Sequence, residues 1–435
     1  MIQKPRGTMD ILPKDVKNWQ YTEKIIRSIC EIYGFKEMRL PTFEATELFV
    51  RGMGDTTDVV QKEMYTFTDR ENRSFTLRPE GTANIMRSVI ENSLYGDALP
   101  LKLYYIMNCF RYEKPQTGRS REYSTFGIEV IGSASAATDV EVISLADTLF
   151  KKLGISDENY SLNINSIGCP ECRPNYHKIL IEYLKDNYDS LCDTCKTRFE
   201  KNPLRILDCK SDICKKVAED APKSKDYLCD DCESHFNKLM DYLKAMKIDF
   251  VVNPFIVRGL DYYTKTVFEF ISDKIGAQST ICGGGRYDGL SEQIGGSANL
   301  CGIGFGIGME RLIMAAQADG AYFPEAVVPD IYIAPITDSN DSLKIKEAVA
   351  GIVKSLRDNG IIAETDVMDR SLKSQMKYAD KIGARYTYVI GEREIAERKA
   401  ILKNMREKEQ TECAFEDLSV FLGKNKNKQK NEEWR

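Results

Sequence analysis

Apolar and polar positions along this chain change period several times, and each change marks an element. From Val16 onward, Trp19, Ile25, Ile26, Ile29, Cys30 and Tyr33 recur at near-helical spacing until Gly34 ends the run. Pro13 fits the first turn of that helix, where its missing N–H costs nothing. Residues 37–41 read as a short strand halted by Pro41. A loop follows at 52–57, then strands at 63–68 and 76–78, the second stopped by Pro79. Thr82 fits as the cap of a helix whose stripe is Ala83, Ile85, Met86, Val89 and Ile90. Residues 102–110 are aromatic-rich and strand-like, and a second short apolar run closes at Val130-Ile131-Gly132. Between them, residues 114–121 hold Pro, Gln, Gly and three basic groups, so they read as a hairpin loop. Residues 138–153 are helical and end at Gly154. Residues 251–271 read as strand, turn, strand, with Arg258-Gly259-Leu260-Asp261 at the turn. Residues 283–289 read as a glycine-rich turn, 301–305 as a short strand, and Met309 opens a helix with Leu312, Ile313 and Ala316 on its buried face.

Two prolines in residues 324–329 mark a linker, and the pattern changes beyond it. Strands at 330–335, 361–363 and 386–390 alternate with helices at 343–356 and 371–382, which predicts a small α/β domain with a largely parallel core. Lys373, Lys377 and Lys381 line one face of the second helix. That face reads either as solvated or as a surface for RNA. The tail, 424–435, is polar and charged and is expected to be disordered. The domain expectation is therefore 1–325 with an insertion at about 166–245, then 326–423, then the tail. The fold class expected is α/β in the broad sense: an α+β first domain on a mainly antiparallel sheet, and a smaller C-terminal α/β domain.

Composition narrows the classes. Hydrophobic residues make up 42% and charged residues 29% of the 435, as in a globular protein. No run approaches the ~20 apolar residues of a membrane span, and the first residues lack a signal-peptide core. The expectation is a cytoplasmic protein. A net charge of −5 does not announce a nucleic-acid partner, so any RNA contact must use local basic patches. Of thirteen cysteines, eight fall between Cys169 and Cys232.

The candidate chemistry centres on residues 111–129. Arg111 is carried on a strand, and Arg119 and Arg121 end the loop. Arginine offers a planar, permanently charged fork that grips phosphate. Glu113 and Glu129 supply the opposite charge. Phe110-Arg111-Tyr112-Glu113, the loop, and Phe126-Gly127-Ile128-Glu129 resemble motif 2 of class II aminoacyl-tRNA synthetases, and more narrowly the histidyl-tRNA synthetase family. Four further stretches agree, in the family's order: Leu77-Arg78-Pro79-Glu80-Gly81-Thr82-Ala83, Val257-Arg258-Gly259-Leu260-Asp261-Tyr262-Tyr263, Gly283-Gly284-Gly285-Arg286-Tyr287-Asp288-Gly289 and Gly304-Phe305-Gly306-Ile307-Gly308-Met309-Glu310-Arg311. The first helix and the strand ending at Pro41 are similar to motif 1, the dimer-interface element of that class. The C-terminal pattern resembles the class's anticodon-binding domain.

The resemblance implies an enzyme that joins L-histidine to tRNA(His) through a histidyl-adenylate, using ATP with Mg²⁺, as a homodimer. It implies roles residue by residue. Arg111 and Arg258 would be catalytic, at the α-phosphate and carboxylate. Glu113, Arg119 and Arg311 would join Arg111 at ATP. Glu80 and Thr82 would hold the ammonium, and Gly81 between them would belong to the substrate-binding set. Glu129 and Tyr263 would read the imidazole nitrogens, with Tyr262 and Tyr287 lining the pocket. Gln116 would reach the tRNA acceptor end. The sequence departs from the family at Thr125, where Gln is usual, so the expectation is weaker histidine binding with chemistry retained. The alternative is a non-charging paralogue, such as the regulatory subunit of ATP phosphoribosyltransferase. The full set of arginines and the C-terminal domain weigh against it.

The insertion holds three C-x-x-C pairs: Cys169 with Cys172, Cys192 with Cys195, and Cys229 with Cys232. Cys209 and Cys214 form a looser fourth. Paired thiolates at this spacing suit tetrahedral zinc, two pairs to an ion. His177 and His235 are the chain's only histidines and lie nearby, which leaves mixed ligation open. The other reading is a set of incidental thiols.

Overall fold

The basic loop is the tip of a long hairpin, Leu101–Phe110 paired antiparallel with Glu122–Ile131. The computed structural model describes residues 1–424 apart from 97, 210, 277–279, 297–299 and 337–341. The chain divides into two units, Met1–Pro324 and Glu325–Arg435. In chain order the strands of the first unit are β1 Lys36–Glu37, β2 Phe43–Ala45, β3 Tyr65–Thr68, β4 Ser74–Leu77, β5 Leu101–Phe110, β6 Glu122–Ile131, β7 Ser161–Ser166, β8 Phe250–Val252, β9 Thr264–Ile271, β10 Thr280–Arg286 and β11 Gly302–Gly308. Eight of them form one sheet, ordered β1-β5-β6-β11-β10-β9-β7-β8. Its two outermost pairings are parallel and the rest antiparallel. A three-stranded sheet, β2-β4-β3, stands beside it.

Both faces of the large sheet are covered, which explains why its strands lack a clean polar alternation. On one face Tyr104, Phe126, Ile128 and Val130 pack in a core with helices Val16–Ile32 and Ala136–Lys152. On the other, Leu103, Tyr105, Met107 and Cys109 join Ile85, Met86 and Val89 of the helix Thr82–Glu91. The period-2 register therefore sends odd-numbered residues of β5 towards the second face.

Several local expectations change. Residues 13–15 form a turn and the helix begins at Val16, so Pro13 precedes it. Residues 59–63 form a turn of π-helix, and the strand starts only at Tyr65. The strand expected at 37–41 is shorter, Lys36–Glu37. Thr82 does not cap its helix. Glu80 does, accepting from the Thr82 and Ala83 amides at 2.6 and 2.9 Å. The glycine-rich stretch from Gly283 is mostly a central strand, β10, rather than a turn. Glycine is required there for close approach, because a methyl at Gly284 would meet the Gly304 carbonyl oxygen and one at Gly285 the Thr266 carbonyl oxygen at 2.6 Å.

In the second unit, β12 Ile331–Pro335 lies between β13 Ala363–Thr365 and β14 Tyr386–Ile390, all parallel. A hairpin the pattern did not reveal, β15 Lys399–Asn404 and β16 Gln410–Ala414, extends the sheet antiparallel. Ile345, Val349, Val353 and Leu356 bury one face of the helix Ser342–Asp358. Lys373, Lys377 and Lys381 are all exposed on the helix Leu372–Lys381, which buries Gln375 and Ala379. The tail beyond Lys424 lies outside the described residues. Among the described residues, no helix is long and apolar enough to cross a membrane.

Candidate active site

The second face of the large sheet opens into a cavity of about 1130 Å³. Glu80, Gly81, Thr82, Arg111, Glu113, Arg119, Thr125, Arg258, Tyr262, Tyr263, Tyr287 and Arg311 all line it. These residues come from five stretches far apart in sequence, and the sheet brings them together. Two predicted residues lie off the wall. Gln116 is exposed at the loop tip, where it exchanges backbone hydrogen bonds with Arg119 at 3.0 and 2.8 Å. Glu129 is fully buried one layer behind.

Three hydroxyls surround Glu129. Thr82 Oγ1 donates to Oε1 at 2.8 Å, Tyr105 Oη to Oε1 at 3.3 Å, and Tyr287 Oη to Oε2 at 2.6 Å. Burial pushes the Glu129 carboxyl up to about 8, against the lowering effect of those donors. Burial also raises Glu80, and its two amide donors oppose this. A hydroxyl that donates to a carboxylate keeps its lone pairs for a ligand donor. Ionised Glu129 therefore turns Thr82 and Tyr287, both on the wall, into acceptors for an N–H group. Tyr262 stacks edge-on to Tyr287 at 5.9 Å and lies 4.6 Å from Tyr263, giving the pocket an aromatic side.

The arginines are held by backbone and by acids. Arg111 Nε donates to the Pro79 carbonyl at 2.9 Å. Arg119 pairs with Glu113 at 2.6 Å. Arg311 ties the loop to the sheet, donating to the Gly118 carbonyl at 2.8 Å and the Thr280 carbonyl at 3.0 Å. Arg258 pairs with Glu269, which also accepts from Thr280 Oγ1 at 3.2 Å. Its Nε is buried without a partner among the described residues. An orphaned guanidinium N–H beside a cavity fits an anionic ligand group. Arg78, within the same motif as Glu80, is structural: it binds the carbonyls of Leu40, Pro41 and Asn108.

Sequence reasoning missed Tyr105 and Glu269. Tyr105 was visible in principle, because it shares a face of β5 with Leu103 and Met107 and stands opposite Gly127. Glu269 gave no signal of its own. Thr125 donates to the Ile307 carbonyl at 3.2 Å, so its hydroxyl serves the sheet as well as the wall.

The thiols of the insertion fall into two sets, Cys169, Cys172, Cys229 and Cys232, and Cys192, Cys195, Cys209 and Cys214, with all sulfurs of a set within 4.8 Å of one another. Separations of 3.8, 3.7 and 3.9 Å recur in the first set and 3.9 Å in the second. A tetrahedron with ~2.3 Å zinc–sulfur arms has edges of ~3.8 Å. No cysteine is in a disulfide. Mixed ligation through histidine is not found: His235 Nε2 is held by Asp139 at 2.8 Å, in the core, and His177 belongs to neither set.

A mainly antiparallel sheet that presents arginines from a hairpin and from the helix after its last strand has the architecture of a class II aminoacyl-tRNA synthetase core. The comparisons agree. A family model for histidyl-tRNA synthetase matches residues 7–169 and 201–312, and one for an anticodon binding domain matches 330–425. The histidine–tRNA ligases of Caldanaerobacter subterraneus subsp. tengcongensis and Acetivibrio thermocellus are each 53% identical to this chain. The alignments cover 97% and 96% of it, and 99% and 98% of those proteins. The crystal structure of apo Staphylococcus aureus histidyl-tRNA synthetase superposes with a TM-score of 0.81 at 34% identity, over 97% of this chain and 100% of that one. The chain belongs to the histidyl-tRNA synthetase family. An ATP phosphoribosyltransferase regulatory subunit/histidyl-tRNA synthetase from Bacillus halodurans shares the fold, at 20% identity and a TM-score of 0.60.

The raised carboxyl at Glu129 carries a stability consequence. The unfolded carboxyl titrates near 4.5 and the folded one near 8. Across that window the unfolded chain has lost a proton that the fold retains, so the contribution of Glu129 to stability falls as pH rises and is lowest above about 8. Glu129→Gln removes the cost. Its thermal midpoint without ligand is expected to exceed that of the wild type by several degrees near pH 8.5, and by less near pH 5. Equal differences at both pH values would contradict the assignment.

Proposed function

We propose that the chain ligates L-histidine to tRNA(His) in two steps. In the first, a histidine carboxylate oxygen attacks the α-phosphorus of ATP. The bond to the β-phosphate bridging oxygen breaks, leaving histidyl-adenylate and pyrophosphate. In the second, a hydroxyl of the terminal tRNA ribose attacks the carbonyl carbon and AMP leaves. Such chemistry depends on positioning and charge neutralisation more than on a protein nucleophile.

The observation that carries this reading is one cavity lined by carboxylate-directed hydroxyls and by six arginines, Arg111, Arg119, Arg258 and Arg311 among them. Arg111 and Arg258 meet the carboxylate and α-phosphate, where negative charge gathers. Arg119 and Arg311 hold the outer phosphates, and Glu113 orients Arg119. Glu80 and Thr82 take the ammonium. The imidazole lies against Tyr263 and the hydroxyls of Thr82 and Tyr287, with Glu129 behind them setting their direction. An amino acid without ring nitrogens leaves those groups unpaired, which is the strongest form of discrimination a buried polar site has. Mg²⁺ accompanies the phosphates, and Glu113 and Glu310 on the wall offer the oxygen donors it prefers. Gln116, exposed at the loop tip, suits the tRNA acceptor end, and Lys373, Lys377 and Lys381 suit its anticodon region. The working form is a cytoplasmic homodimer. The two thiol sets hold structural zinc, one ion each.

Histidine-dependent ATP–pyrophosphate exchange, followed by charging of bulk tRNA, tests the reading. Both activities are expected. Their absence in folded protein with Mg²⁺ would instead favour a regulatory paralogue. Thr125→Gln is expected to lower the KM for histidine with kcat little changed, and an unchanged KM would remove Thr125 from the account of affinity.

A further inference from the structure

The two thiol sets differ in what they are attached to. Cys169 and Cys172 precede the helix Arg173–Asp186, and Cys229 and Cys232 lie at the start of the helix Asp230–Ala245. The first set therefore gathers the entry and the exit of the insertion at one point. From that point hydrogen bonds run to the amino-acid side of the cavity by two routes.

The first route leads to Tyr263. Arg173 donates to the Tyr263 carbonyl at 2.5 Å. The Lys265 amide donates to the Gly168 carbonyl, and the Ile167 amide to the Lys265 carbonyl, both at 2.9 Å. Lys265 Nζ pairs at 2.7 Å with Asp231, which lies between the two thiols of its pair. Lys265 itself has φ +49°, a left-handed backbone that a lysine adopts only where its surroundings impose it. The second route leads to Glu129. His235, on the exit helix, holds Asp139 at 2.8 Å. Asp139 is fully buried, accepts from Thr266 Oγ1 at 2.6 Å and pairs with Arg286 at 2.8 Å. The residue after Arg286 is Tyr287, whose hydroxyl donates to Glu129. The phosphate-side groups have other supports: Arg311 rests on Gly118 and Thr280, and Arg119 on Glu113.

We propose that a zinc ion held by Cys169, Cys172, Cys229 and Cys232 is a positioning centre for the histidine pocket, fixing Tyr263 by one route and Tyr287 with Glu129 by the other. The proposal rests on the zinc reading above. Without the ion, four thiols at the root of the insertion have nothing to hold them at tetrahedral spacing, and the corner at Lys265 loses its frame. Binding of the amino acid suffers and binding of ATP does not.

The test uses the intact enzyme purified without chelator. Zinc is counted by elemental analysis, and KM values for histidine and ATP are measured by pyrophosphate exchange. Two ions per chain are expected, one for each thiol set. Cys232→Ser is expected to lose one ion and to raise the histidine KM by about tenfold or more, as loss of a supporting layer commonly does, with the ATP KM nearly unchanged. Arg173→Ala keeps all eight thiols. It is expected to retain both ions and still raise the histidine KM alone, so it decides the matter if Cys232→Ser does not fold. Wild-type enzyme free of zinc with an ordinary histidine KM overturns the metal reading itself. Loss of one ion with an unchanged histidine KM, or a rise of both KM values together, overturns the positioning role and leaves the zinc standing.

Discussion

Room on one face of a sheet is the constraint on which the catalytic unit depends. Charged and aromatic side chains must lie nearly flat across central strands, and only the absence of a neighbouring side chain allows it. A methyl at Gly304 would overlap the Glu129 carboxylate, one at Gly302 the Tyr287 ring, one at Gly127 the Tyr105 ring, and one at Gly283 would sit 2.5 Å from the Arg258 guanidinium. The glycines of β6, β10 and β11 are thus the mould in which the polar groups are cast. The sheet's register sets Tyr105 opposite Gly127 and Glu129 opposite Gly304.

That mould explains what was legible in the sequence and what was not. The hairpin and the helix after Gly308 were readable, because their turn signals and apolar periods are local. The glycine-rich segment was misread as a turn. Glycine at a turn and glycine beneath a neighbouring side chain look identical in one dimension, and the deciding contacts come from residues more than a dozen positions away. Thr82 was misassigned for a related reason. A threonine before an apolar stripe is a good cap by local rules, but here a buried carboxylate takes the amides and leaves the hydroxyl for Glu129. Tyr105 sat within a strand that was correctly drawn, and only its face was left unread. Pairing of the thiols could not be deduced from spacing, since it depends on how helices return across the insertion.

The site also separates its tasks by support. The arginines proposed to meet phosphate are fixed by backbone carbonyls and by carboxylates of the hairpin and of β9. The side proposed for the amino acid is held by a buried ion-pair network around Asp139 and by the root of the insertion. Buried charge of this kind is costly unless every lone pair is used, and Asp139 uses both of its oxygens on three donors. Such an arrangement trades stability for a defined pocket shape.

On the proposed reading, Glu129 must ionise for the hydroxyls around it to receive histidine. Calorimetry of histidine binding in buffers of different ionisation enthalpy measures the protons exchanged on binding. Near pH 7, where Glu129 with its carboxyl at about 8 still holds its proton, about one proton is expected to be released per histidine bound, diminishing as pH passes 8, and none in Glu129→Gln. Binding with no proton release near pH 7 would contradict it.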